Sequence, residues 1–171
     1  MAALPSPPVV PSRRRVLSTL VVVGATGPLG SCSGRYPDDT ASTLDRVEGG
    51  TLRVGVSPHP PFTAANDMGR VSGSEVDLVE RFAEHLGAAP AWTVGAETDL
   101  VPRLHEGELD VLIGGLDAKS PWSKEIALTR AYGEAEGPDG SRRKLVMAVR
   151  AGENALLTEL ERFLAEAGGE L

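Results

Sequence analysis

Residues 109–114 have the sequence LDVLIG, which is apolar enough to form a central strand of a sheet. Upstream, residues 52–56 (LRVGV) alternate as a strand does, and residues 91–94 (AWTV) predict another short strand. Apolar residues at helical spacing over 76–86 predict a helix between these two strands, and a short helix follows Asp99. The order strand, helix, strand, helix, strand predicts parallel strands joined by right-handed crossovers.

Two further elements follow the central strand. Residues 144–149 (KLVMAV) predict a fourth strand, and the apolar stripe over 155–167 predicts a terminal amphipathic helix. A length of 171 residues is enough for one domain. The sequence therefore predicts an α/β fold with a mixed, mostly parallel sheet of four to five strands flanked by helices.

The composition argues against several classes of function. With 17 Lys and Arg against 24 Asp and Glu, the net charge of −7 disfavours binding to the phosphates of nucleic acid. The single Cys excludes a disulfide framework within the chain, and His59, His85 and His105 lack the close spacing of metal ligands. No nucleophile set accompanies His59. We therefore expect a protein that is not an enzyme, with no metal and no cofactor.

The N-terminus has the layout of an export signal. Residues 1–31 contain three arginines, at 13–15, and no acid, and an apolar run over 16–25 follows the arginines. Basic residues, a short apolar run and then small residues are typical of a secretory signal peptide. The run is too short to span a bilayer, which takes about 20 apolar residues. Residues 12–17 (SRRRVL) also resemble a twin-arginine export motif, and the general secretory route is the alternative.

Cys32 closes the sequence LGSC at 29–32, which resembles the lipobox of bacterial lipoproteins. The resemblance implies that Cys32 is lipidated and becomes the new N-terminus. The protein would then be lipid-anchored in the cell membrane on its extracytoplasmic side, periplasmic or cell-surface. Residues 32–50 are polar and lack a clear apolar period, so we predict a flexible tether there and a folded part over 51–171.

Three sequence blocks of the folded part match a known family in their order and spacing. They are LRVGV at 52–56, PPF at 60–62 and GSEVDL at 73–78; LVPRL at 100–104 with GELDV at 107–111; and GGL at 114–116 with Ser120, Pro121 and Tyr132. This set resembles the family 3 extracellular solute-binding proteins, the amino-acid-type receptors of ABC importers. The resemblance implies a type II periplasmic-binding-protein fold, in which two lobes hold the ligand between them.

The sequence has room for only one of these lobes. Residues 133–142 alone separate the end of the first lobe from the return strand at 144, whereas a second lobe needs on the order of 100 residues. We therefore expect a single lobe over 51–171, with the second lobe missing between about 133 and 142. The sequence GPDG at 137–140 predicts a turn that closes the chain there.

The candidate binding residues lie where the predicted strands end, because open α/β sheets bind ligands beyond the carboxyl ends of their strands. The resemblance implies that the aromatic residue after the two prolines, Phe62, packs on the ligand; a core or hinge-packing role is the alternative. It also implies that residues after the third strand offer backbone and hydroxyl groups, here Gly115, Asp117 and Ser120. Trp122, on the same loop, is the surface aromatic candidate.

Three further positions bear on how a solute would be held. The amino-acid binders of the family place an Arg, which grips the ligand carboxylate, at the position of Ser123. Glu75 and Asp77 match acidic positions at the start of the first helix, and we interpret them as helix-capping and dipole-stabilising residues. Because a one-lobe site is an open shelf, we expect weak binding unless a partner or a second copy covers it.

We therefore predict an exported, membrane-anchored protein that captures or senses a small solute, amino-acid-like or another small polar molecule, for a transporter. Its partners would be the solute, the lipid anchor in the membrane and the transporter subunits, and no nucleic acid. The alternative is an accessory or adaptor lipoprotein. In that case the lobe has lost ligand binding and docks a transporter, a channel or another copy of itself.

Overall fold

The structure, a computed structural model, describes residues 37, 39–137 and 140–168 of the chain. Within these residues, the apolar strand predicted at 109–114 is the middle of a six-stranded sheet, where it forms β5 (Val111–Asp117). The strand is buried from its first residue to Leu116, as expected where helices cover both faces of a sheet.

The first half of the sheet is parallel. Its elements are β1 (Thr51–Val56), β2 (Ala64–Ala65), β3 (Val71–Ser72), α2 (Ser74–His85), β4 (Ala89–Val94) and α3 (Glu97–His105). β1 lies between β4 and β5 and runs parallel to both, and helices α2 and α3 are the crossovers between these strands. This order confirms the predicted strand, helix, strand, helix, strand pattern. A small hairpin of β2 and β3 precedes α2.

The second half of the sheet is antiparallel and only partly predicted by the sequence. The return strand β8 (Arg142–Arg150) pairs with β5, with β6 (Ile126–Leu128) and with β7 (Gly133–Glu136). The sequence prediction lacks β6 and β7, because three or four residues are too few to show a period. Among the described strands of this sheet, β8 is reversed and the others point the same way, so the predicted mixed, mostly parallel α/β fold is confirmed.

A hairpin occupies the place where the second lobe is predicted to be missing. β7 and β8 are joined at the predicted turn, where the N–H of Gly137 donates to the carbonyl of Ser141 at 2.7 Å. The hairpin adds β7 to the sheet beside β8. It belongs to the same compact unit as the rest of the described residues.

Helices pack on both faces of the sheet. One core cluster joins α2, α4 (Asn154–Gly168) and α1 (Thr43–Val47) to one face, and a second cluster joins α3 to the other. The alternation along each strand assigns the faces: in β5, Val111 and Ile113 belong to the first cluster and Leu112 to the second. This arrangement confirms the predicted sheet flanked by helices.

Residues 39–50 are part of the fold, which corrects the prediction of a flexible tether over 32–50. Leu44 and Val47, both in α1, are buried in the first core cluster. The sequence shows no period here because the helix has only 5 residues. The predicted signal peptide at 1–31 and the lipidation site lie outside the described residues. Among those that are described, no helix is long and apolar enough to cross a membrane.

Two carboxylates hold this N-terminal segment against the start of α4. Asp39 accepts hydrogen bonds from the N–H groups of Leu44 at 2.8 Å, of Ala155 at 2.6 Å and of Leu156 at 3.1 Å. Glu153, directly before α4, accepts in turn from the N–H of Ala41, just before α1, at 3.0 Å and from the N–H of Thr43, the first residue of α1, at 3.3 Å. Each carboxylate therefore satisfies helix-end donors that would otherwise lack a partner.

We predict that Asp39→Ala lowers the free energy of unfolding by about 2–3 kcal/mol, since it removes caps from two helices and each cap contributes about 1 kcal/mol. Asp67→Ala, at an exposed position between β2 and β3, is the matched control and should cost less than about 0.5 kcal/mol. Chemical denaturation followed by circular dichroism measures both variants. Equal stability of the two would contradict the capping role.

Candidate functional site

The carboxyl ends of β1 and β5 form one edge of the sheet, and a bulge shapes this edge. In the pairing of β5 with β8, Leu112 lies opposite Ala148 and Leu116 lies opposite Val146, so residues 113–115 face a single residue of β8. Such a bulge takes backbone groups out of the ladder between strands. The N–H groups of the bulged residues are therefore free to bind a side chain.

Glu75 binds these N–H groups from the core side. Its side chain is fully buried, and its Oε2 accepts hydrogen bonds from the N–H groups of Gly114 at 2.8 Å and Gly115 at 3.0 Å. The hydroxyl of Tyr132 donates to Oε1 of the same carboxylate. The backbone N–H of Glu75 donates to the carbonyl of Phe62 at 3.1 Å. One residue thus joins α2, the bulge, the loop after β1 and the segment before β7.

This contact corrects the interpretation of Glu75 as a helix-capping residue. The residue that precedes α2 is Gly73, and no side chain caps the helix there. The Glu75 carboxylate instead crosses to β5. An acid in the first turn of a helix has the same sequence signature whether it faces solvent or the core, so the sequence offers no signal that separates the two. Asp77, in the same turn, is exposed.

Burial raises the pKa of the Glu75 carboxyl group, and the hydrogen bonds from Tyr132, Gly115 and Gly114 and the nearby His59 oppose that rise. Burial and the neighbouring carboxylate also raise the pKa of Tyr132, which keeps its hydroxyl protonated as the donor. Burying the Glu75 carboxyl group costs free energy, and three hydrogen-bond donors offset that cost. Buried polar groups generally have hydrogen-bond partners for this reason.

Two aromatic rings stand at the same edge of the sheet. The rings of His59 and Phe62 stack with their centroids 6.0 Å apart and their planes at 22°. A Cβ atom on Gly115 would lie 2.9 Å from the Cδ2 atom of each ring, and Gly115 has a φ of +64°. A glycine is required there, because both the space and the backbone conformation exclude a side chain. Thr63 fixes the loop by donating to the carbonyl of Ser57 at 2.6 Å.

An open cleft of about 510 Å³ lies beside these rings. Residues 59–62 line one side of it, and residues 134–137 with Arg143, all from the β7–β8 hairpin, line the other. Its volume is in the range of small-molecule sites. The hairpin wall could not be expected from the sequence, because β7 is four residues long and carries no apolar period. In the part of the chain that the structure describes, no group of His, Cys, Asp and Glu is arranged to hold a metal ion.

The structure brings two of the predicted site residues together at this cleft. Phe62 lines the cleft, and its ring closely approaches Gly115. Asp117, at the end of β5, accepts a hydrogen bond from the N–H two residues later at 2.9 Å. Ser120 is buried and accepts from the N–H of Trp122, whose ring packs on the second core cluster. These last three residues do not line the cleft, and their role in binding stays a prediction.

The lobe and its strand-end cleft define a solute-binding architecture. The family model of bacterial extracellular solute-binding proteins, family 3, matches residues 52–169, and the chain belongs to this family. It is 28% identical over 83 residues to a probable histidine-binding protein of Campylobacter jejuni, an overlap of 48% of this chain and 32% of that protein. It is 29% identical over 91 residues to the L-cystine-binding protein TcyJ of Escherichia coli K12, an overlap of 52% and 34%. The chain thus spans about a third of the length of these curated relatives.

Solved structures share the architecture of the lobe. The arginine-bound form of domain 1 from TmArgBP is 30% identical, with a TM-score of 0.63, and the match covers 71% of this chain and 97% of that domain. The ancestral amino-acid-binding protein AncCDT-1, a precursor of cyclohexadienyl dehydratase, is 16% identical with a TM-score of 0.64. That match covers 72% of this chain and 92% of AncCDT-1, and at this identity it supports the fold alone.

We predict that the Glu75 carboxyl group makes the free energy of unfolding depend on pH. Because its folded pKa is raised above the ordinary value of 4.5, the folded state binds more protons than the unfolded state between the two values. The stability that Glu75 contributes is therefore greatest below about pH 4.5 and falls as the pH rises through the folded pKa. Urea denaturation at a series of pH values measures this decline.

Glu75→Gln keeps the acceptor for the bulge and removes the titrating group, so the decline should be reduced in this variant. Glu80→Gln, at an exposed acid of the same helix, is the matched control and should retain the wild-type profile. If wild type and Glu75→Gln have parallel profiles, the assigned pKa direction is wrong.

Proposed function

We propose that this chain is an exported, membrane-anchored solute-binding protein that captures or senses an amino acid or a similar small polar solute for a transporter. The observation that carries the proposal is the match to the arginine-bound domain 1 of TmArgBP, 97% of which the chain covers at 30% identity. In that structure an amino acid is bound to a single domain. By analogy, we expect one lobe without its counterpart to bind such a solute.

The geometry of the cleft supports a small, polar solute with an apolar part. The stacked rings of His59 and Phe62 offer an apolar surface, and the opposite wall carries both signs of charge, from Arg143 and from Glu134 and Glu136. The relatives are named for histidine and for cystine, which places amino acids first among the candidates. One lobe covers only part of a ligand, so we expect a Kd on the order of 0.1–1 mM.

The adaptor role is the second candidate, and the residue at position 123 favours it. The resembling family's amino-acid binders carry an Arg there, whereas this chain has an exposed Ser123. A lobe that has lost its solute would use the same open edge to dock a transporter, a channel or another copy. The two candidates differ in what they bind, so a ligand test separates them.

Export and anchoring complete the proposal. The family is extracellular, which supports a location outside the cytoplasm. The basic and apolar layout of residues 1–31 supports export, and Cys32, at the end of the LGSC sequence, is the proposed site of lipid attachment.

We predict that L-arginine or L-histidine raises the melting temperature of the protein at millimolar concentration, because a ligand that binds the folded state stabilises it. The full ligand panel for this melting experiment also contains polyamines and organic acids. Calorimetry on Phe62→Ala should give an affinity about five- to tenfold lower, since the ring contact contributes about 1 kcal/mol. Met68→Ala, which removes an exposed apolar side chain far along the loop, is the control. A panel that leaves the melting curve unmoved would overturn solute capture and favour the adaptor role.

We predict that Cys32→Ala releases the protein from the membrane fraction, because the lipid would have no attachment atom. Ser33→Ala, at the next residue, is the control and should stay in the membrane fraction. Fractionation of cells that express each variant, followed by immunoblotting, measures the distribution. Continued membrane retention of Cys32→Ala would contradict lipid anchoring at this residue.

A further inference from the structure

We propose that Arg143 binds the carboxylate of the solute in the cleft between residues 59–62 and the β7–β8 hairpin. The inference rests on the proposed function and deepens it, because it names the chemical class of the solute and the residue that recognises it. The class is a small carboxylic acid, with α-amino acids as members. The cation comes from the hairpin that joins the first lobe to its return strand.

The register of the hairpin sets Arg143 apart from its two cationic neighbours in β8. Each neighbour lies opposite a glutamate of β7, whereas Arg143 lies opposite Ala135. Directly opposed residues of an antiparallel pair share a face of the sheet and contact each other. Arg142 forms an ion pair with Glu134 at 3.4 Å on its face. Glu134 is therefore engaged by Arg142, and no glutamate lies directly opposite Arg143, while Glu134 and Glu136 line the same cleft as Arg143.

The Nε atom of Arg143 is buried and has no hydrogen-bond partner among the described residues. A buried donor on a charged group is unfavourable without an acceptor, so the described residues satisfy this guanidinium group only in part. A guanidinium group presents parallel N–H donors that match the two oxygens of a carboxylate. Because Arg143 also lines the cleft, a solute carboxylate there would accept hydrogen bonds from its guanidinium group.

The opposite wall fits the remainder of such a molecule. The stacked rings of His59 and Phe62 are half-buried and line the same cleft as Arg143. A carboxylate on the hairpin side and an apolar or aromatic contact on the loop side orient a small acid across the cleft. The small side chain of Ala135 beside the guanidinium leaves room for the carboxylate.

The test compares L-arginine with L-argininamide, and L-histidine with L-histidinamide, by isothermal titration calorimetry on the full chain. The amides lack the negative charge and keep the amine and the side chain. On the wild type, each acid should bind about tenfold more tightly than its amide, the effect of one charged hydrogen-bonded pair. Arg143→Gln should lose about the same factor for the acids and bind acid and amide equally. Arg143→Lys keeps the charge without the planar donors. Its preference for acid over amide should lie between the preferences of the wild type and of Arg143→Gln.

Arg142→Gln is the matched control, because it removes the adjacent cation, which is paired with Glu134, is 85% exposed and does not itself line the cleft. It should change the affinity for L-arginine by less than about twofold. Melting curves without ligand should show both variants folded. If wild type binds amino acids and Arg143→Gln still prefers acid to amide, the inference about Arg143 is wrong and the proposed function stands. If wild type binds none of the four probes but binds another member of the ligand panel, the inference fails and the proposed function stands. If wild type binds nothing in the panel, both fail.

Discussion

The carboxylate of Glu75 is the contact on which the arrangement of this lobe depends. A buried acid is costly unless donors surround it, and these donors come from the bulge of β5 and from Tyr132. Its backbone also holds the loop that carries Phe62. The helix start, the strand end and the loop are therefore positioned by one residue. The shape of the cleft follows from that common attachment, because the loop forms one of its walls.

Much of the fold could be predicted from the sequence, because its main strands and helices carry a clear period. β1, β5 and β8 and the helices α2 and α4 all bury apolar residues in the two core clusters. The first helix could not be predicted, since it has 5 residues and depends on capping partners far along the chain. β7, with the sequence GEAE, carries no large apolar residue at all. Contacts with distant parts of the chain hold such elements in place, and a single sequence does not show those contacts.

Only one wall of the candidate site could be predicted from the sequence. Phe62 and Gly115 follow strands whose ends meet, so their proximity could be expected from topology. The other wall comes from the hairpin, where the sequence RRK at 142–144 has the signature of a solvated strand end. Only the register separates Arg143 from the cations on either side of it. In the proposal for Arg143, the hairpin supplies the cation that the family's amino-acid binders carry at the position of Ser123.

The paired capping by Asp39 and Glu153 has a consequence for orientation. β8 runs opposite to β5, so its last residues and the start of α4 lie at the edge where the parallel strands begin. The chain enters the lobe at this edge, whereas the cleft lies at the edge where those strands end. Whatever holds the upstream chain is therefore connected to the lobe on the side away from the cleft. A pull on that connection would act on the two capped helices rather than on the walls of the cleft.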